Sequence, residues 1–137
     1  MRKIESVDTM GKMQRNKGKE GEREVARILR DHGYADARRG QQFQGSPDSP
    51  DVVGLPGFHI EVKRTEQCRL YDFMEQAERD AGDAEIPVVF HRQSRRKWVA
   101  ILDLDQFLMV AGMYSRYQDQ LLEAIDASDN RNEEASS

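Results

Sequence analysis

The chain has 137 residues, 37% hydrophobic and 34% charged, with a formal net charge of -4 and a mean hydropathy of -0.84. That is enough for one core of moderate size, and no apolar run approaches the ~18 residues a membrane span needs, so a membrane protein is excluded and a cytoplasmic one expected. Cys68 is the only cysteine, which excludes an internal disulfide and, with three scattered histidines, a zinc-finger cluster. The charge is unevenly placed: residues 1–39 sum to +4 and residues 98–137 to -6. The pattern predicts a basic contact surface and an acidic tail.

Residues 1–16 are polar, carry four basic side chains and show no apolar period, so a flexible basic arm is expected there. From Gly18 to His32, Val25, Ala26, Ile28 and Leu29 fall at helical spacing, with Gly33 as a stop signal. Residues 36–50 hold Arg38, Arg39, Gly40, Gly45, Pro47 and Pro50, too many breakers for a regular element, so a long loop is expected. Val52 to Leu55 and Phe58 to Arg64 then read as a hairpin about Pro56-Gly57. Leu70, Phe73, Met74, Ala77 and Ala81 mark a second amphipathic helix ending near Gly82 and covering one face of the sheet. Ile86 to His91 and Lys97 to Leu102 read as a further hairpin across Arg92 to Arg96. Asp103 and Gln106 have capping-box spacing and open a helix through Met109 and Val110. Gly112 is expected to interrupt it before a stripe of Tyr114, Tyr117, Leu121, Leu122 and Ile125, and residues 128–137 read as a disordered acidic tail. The folded domain, with its C-terminal helix, is thus placed at residues 17–127.

Strand alternation puts His59, Glu61 and Lys63 on one face, with Glu61 and Lys63 about 7 Å apart. Asp51 stands at the start of the preceding strand, where a hairpin brings it toward Glu61, and hard carboxylate oxygens in a cluster suit Mg²⁺. Asp48, in the loop, reads better as an Asx-turn residue. On the wheel of the first helix, at ~100° per residue, Glu22 falls among Val25, Ala26 and Leu29, whereas Glu20 and Glu24 point away. A carboxylate on the apolar face must be metal-bound or paired with an inward basic residue. His59 reads as an exposed strand residue despite sharing the face of Glu61. The parity of the hairpin adds a condition. A strict two-residue turn at Pro56-Gly57 would pair Asp51 with Val62 and send its side chain away from Glu61. One extra residue on the first strand, a bulge eased by Gly54 or Gly57, pairs Asp51 with Glu61 instead, and that irregularity is predicted.

Taken in order, Lys17-Gly18-x-x-x-Glu22-Arg23-Glu24, Pro50-Asp51, Glu61-Val62-Lys63 and the Ile86-Pro87-Val88 strand ending in a basic residue resemble the PD-(D/E)XK nuclease superfamily, and within it the archaeal-type Holliday junction resolvases and similar phage-encoded proteins. The resemblance covers roughly residues 17–103. It implies a restriction-endonuclease-like α/β fold, a mixed sheet flanked by helices, here with an added C-terminal helix. It implies a Mg²⁺-dependent, structure-specific endonuclease that resolves four-way junctions by phosphodiester hydrolysis, with Mn²⁺ able to substitute and branched DNA as the partner of a homodimer. In that reading Asp51, Glu61 and, through a water, Glu22 serve the metal, and Lys63 is the catalytic lysine. The DNA contacts fall to Lys17, Arg23, Arg38, Arg39, Arg92, Arg95, Arg96 and Lys97. The alternatives are a restriction-like or nicking nuclease of the same superfamily, or a non-catalytic DNA-binding module.

Overall fold

A computed structural model describes residues 2–40 and 49–136, with side chains of 2–9 left out of the description. Within the long loop expected over residues 36–50, residues 41–48, Asp48 among them, lie outside the described residues. The elements in chain order are α1 (Arg2–Asp31), β1 (Arg38–Arg39), β2 (Val52–Val53), β3 (Phe58–Arg64), α2 (Leu70–Ala81), β4 (Ile86–Arg92), β5 (Val99–Ile101) and α3 (Leu104–Ser136). The strands form one mixed sheet in the order β1-β2-β3-β4-β5, with β3 and β4 parallel and every other pair antiparallel. This is the α/β architecture the sequence implies.

The two central strands explain the core. Parallel β3 and β4 are linked through α2 and covered on both faces, so His59 to Val62 of β3 are buried although apolar and polar residues alternate along that strand, whereas β4 is apolar from Ile86 to Phe90. On one face Ile60, Val62, Val52 and Val88 pack with Val25, Ala26 and Leu29 of α1 and with Ala37. On the other, Val89 packs with Met74 and Ala77 of α2. The chain divides into a unit ending at Leu102 and a second unit, Asp103–Ser137, which is α3. Asp103 caps α3 by accepting the Gln106 amide on Oδ1 at 2.9 Å, as the capping-box spacing implies.

Several boundaries differ from the sequence reading. α1 begins at Arg2, not near Gly18, so the segment read as an irregular arm is helical. Its residues have adequate helix propensity without an apolar face, and an apolar period is a signal of burial, not of helicity. α3 likewise runs through Gly112 and on through the polar acidic segment to Ser136, since a single glycine costs a helix only about 1 kcal/mol. Arg38–Arg39 form a short edge strand within the expected loop. The β2 and β5 pairings are shorter than read from the sequence, ending at Val53 and starting at Val99.

The register of β2 against β3 decides where the carboxylates go. Val52 pairs with Ile60, and the Asp51 amide donates to the Ile60 carbonyl at 2.9 Å, which sets Asp51 opposite Glu61. This is the predicted shift of one residue from the strict hairpin. It is taken up around Gly54, whose φ of 103° is left-handed and whose missing Cβ would lie 2.5 Å from the Ala37 Cα. Gly40 is equally constrained, since a Cβ there would stand 2.0 Å from the Pro50 carbonyl oxygen. Its amide donates to the Asp51 carbonyl at 2.8 Å, pinning the edge strand against the start of β2.

Candidate active site

Asp51 and Glu61 meet at the head of the β2–β3 pairing. The Asp51 Oδ2 accepts the Val62 amide at 2.8 Å, and its carboxyl hydrogen-bonds to that of Glu61. Two largely buried carboxylates side by side cannot both ionise cheaply. Burial, reinforced by the charge of Glu61, pushes Asp51 up to about 7. Burial also raises Glu61, although the hydrogen bond from Asp51 and the charge of Lys63 oppose the rise.

Lys63 lies two residues further along β3, on the same face. Its Nζ donates to Gln76 Oε1 of α2 at 2.9 Å and stands 5.3 Å from the centroid of the Phe73 ring. These contacts fix the ammonium beside the carboxylates, where its charge lowers both of them. α2 also contributes Asp80, whose side chain is buried and whose charge raises Glu61.

Glu22 is on the inward face of α1, as the wheel predicts, with its side chain 15% exposed against 64% for Glu20. It accepts from Arg39 Nε at 2.8 Å, so the pairing with an inward basic residue is realised. Burial raises Glu22 against the opposing effect of Arg39, and the nearby charge of Asp51 raises it further. Glu22 therefore borders the Asp51–Glu61 pair with one oxygen already engaged. Glu24 is a correction: instead of pointing away, it accepts from Arg92 Nη1 and from Trp98 Nε1, the latter at 2.9 Å, joining α1 to the β4–β5 hairpin.

His59 is a second correction. It is 2% exposed, and its Nε2 lies 2.9 Å from Glu61 Oε1, the histidine acting as donor to the carboxylate. Strand parity placed it on the correct face, but only the position of α2 shows that this end of the face is covered. Gln76 and Asp80 were not singled out from the sequence at all. Their one legible signal is position: they follow Phe73 and Ala77 by three residues each on α2, at the border of its apolar stripe.

The basic candidates divide into two groups. Lys17 is paired with Glu66 at 3.3 Å, Arg39 with Glu22, and Arg92 with Glu24 and the Arg96 carbonyl, so these side chains are committed to the fold's own contacts. Arg92 in particular is the last residue of β4 and only partly exposed. Arg38 donates to the Asp36 carbonyl but is exposed. Arg23, Arg95, Arg96 and Lys97 are exposed and make no ion pair among the described residues. Lys12, Arg15, Lys19, Arg23, Arg27 and Arg30, also exposed, recur at three- and four-residue steps and fall within about 120° of the α1 wheel. Arg27 and Arg30 were not among the residues singled out.

Among the described residues no three His, Cys, Asp or Glu side chains form a ready metal cage. The donors present nonetheless fit a divalent ion of the Mg²⁺ type, which takes one or two carboxylates and completes its shell with water and phosphate oxygens. Asp51 and Glu61 supply two hard oxygen donors, and a divalent cation held by them would relieve the cost of ionising both. No helix among the described residues is long and apolar enough to cross a membrane. No curated protein and no solved structure matches the chain. A family model does match, over residues 13–136, and with the ordered Asp51, Glu61 and Lys63 in place the chain belongs to the PD-(D/E)XK superfamily, in the family described as phage putative PDDEXK endonuclease.

Proposed function

We propose that the chain is a Mg²⁺-dependent endodeoxyribonuclease that cuts branched DNA, four-way junctions above all. The observation that carries the reading is the register Val52–Ile60, which sets the Asp51 and Glu61 carboxylates together with Lys63 beside them. Asp51 and Glu61 would hold the ion, with Glu22 bordering it. When bound, such an ion lowers the pKa of a water and stabilises negative charge on phosphate.

The chain's own residues do the rest. Lys63, restrained by Gln76 and Phe73, orients the attacking water and offsets charge on the phosphate oxygens. The Val62 amide and His59 hold the two carboxylates in place. The exposed basic residues of α1 and of the 95–97 turn provide phosphate contacts, which grip the backbone without reading sequence. The preference for junctions is supported by the likeness of the ordered motifs to the resolvases.

The test is cleavage of junction, flap and linear duplex DNA, with and without Mg²⁺. Asp51→Asn, Glu61→Gln and Lys63→Ala are each expected to lower cleavage by at least about 10³-fold while binding changes by less than about threefold. Near wild-type cutting by any of them removes the site assignment. Equal cutting of linear duplex and junction removes the junction preference and leaves the nuclease.

A further inference from the structure

The helix α3 has 33 residues and not one of them is buried. That is anomalous, because helices in water draw most of their stability from packing an apolar face. The face exists. Leu104, Phe107, Ala111, Tyr114, Gln118, Leu121 and Ile125 follow one another at alternating steps of three and four, three heptads of a and d positions. Leu108, Tyr117 and Leu122 flank this seam, and the large apolar side chains among all of these are 43–68% exposed.

The charges are placed to match. Between residues 104 and 125 the charged side chains are Asp105, Arg116, Asp119 and Glu123, and all four fall on the opposite side of the wheel, at outer b and f positions. Pairing along the seam therefore buries no charge. The single polar residue within it, Gln118 at an a position, is of the kind that fixes register at some cost in stability.

We infer that α3 pairs with α3 of a second copy of this chain, forming a two-stranded coiled coil over residues 104–125. The area agrees with that occupant. Side chains of these sizes at these exposures offer on the order of 900 Å² per chain, close to the ~800 Å² per partner of a standard interface. A seam about 33 Å long, with a period of 3.5 residues, is answered by another helix of the same period and length, and an identical copy supplies one.

The test is the mass in solution of the full chain, by light scattering on a sizing column from about 1 to 100 µM. Wild type is expected at twice 15.8 kDa. Tyr114→Glu and Leu121→Glu, at d positions, are each expected to halve that mass and lose helical circular dichroism, while Asp119→Lys, at an outer position, keeps both. Because the substituted side chains are exposed within one chain, neither seam variant removes a core contact. A wild-type monomer throughout the range, a trimer, seam variants that stay dimeric, or dissociation by Asp119→Lys as well would overturn the pairing.

Discussion

At Asp51, burial and the neighbouring Glu61 hold the carboxyl near 7, against about 3.9 in an unfolded chain. Between those values the folded state retains a proton that the unfolded state has released. Stability of the metal-free protein therefore falls as pH rises from about 4 to about 7 and levels off above, by roughly 2–4 kcal/mol. Asp51→Asn keeps an acceptor for the Val62 amide and removes the charge, so it should flatten that slope and make the protein more stable than wild type at pH 8. Urea titrations at pH 5 and pH 8 check this, and parallel slopes for the two proteins would contradict it. His59 acts through Glu61, holding its Oε1. Replacing it with alanine is expected to weaken Mn²⁺ binding about 10–100-fold by calorimetry, with Gln, which still donates, recovering most of the loss. Unchanged affinity in His59→Ala would show that the contact is only structural.

The elements show how much of the site the sequence carries and where it stops. Alternation along β3 and the parity of the hairpin were enough to require a one-residue shift before Asp51 could reach Glu61, and the shift is present at Gly54. Gly54→Ala should therefore do more than its size implies. Its Cβ would meet the Ala37 backbone in a left-handed conformation, so a loss of about 2–4 kcal/mol is expected, together with cleavage lowered beyond what the unfolded fraction explains. Wild-type stability with wild-type cutting would show that the register does not depend on that turn. What the sequence hid has a common cause. Local patterns report which residues share a face, whereas the cover over that face comes from distant elements. His59 is buried by α2's placement, Glu24 is drawn in by Arg92 at the end of β4 and Trp98 just before β5, and Arg39 reaches Glu22 from a two-residue strand too short to leave a period. The start of α1 and the end of α3 beyond Ile125 were hidden for the opposite reason, since those polar stretches lack the apolar rhythm by which helices are recognised.

For the whole molecule, the described residues of one chain carry one carboxylate pair at the candidate site, and resolving a four-way junction requires cutting two strands. The α3 pairing proposed above would bring two sites to one junction, and its two-fold symmetry would match that of the proposed substrate. Paired cuts would then arise from the two subunits of one bound dimer rather than from two successive encounters. Dimers in which one subunit carries Lys63→Ala, purified by two different tags after co-expression, separate these cases. The mixed dimer retains the whole DNA grip, because Lys63 is held by Gln76 and Phe73 and is not among the exposed basic side chains of α1 or the 95–97 turn. It should bind the junction as wild type does, nick one strand at close to half the wild-type total rate, and leave the opposite strand intact within a single binding event. On a supercoiled plasmid with an extruded cruciform, the wild type is expected to yield linear product directly and the mixed dimer nicked circles. Linear product from the mixed dimer at the wild-type ratio would mean that one site serves both strands in turn, and the two-site account would fall while the nuclease assignment stood.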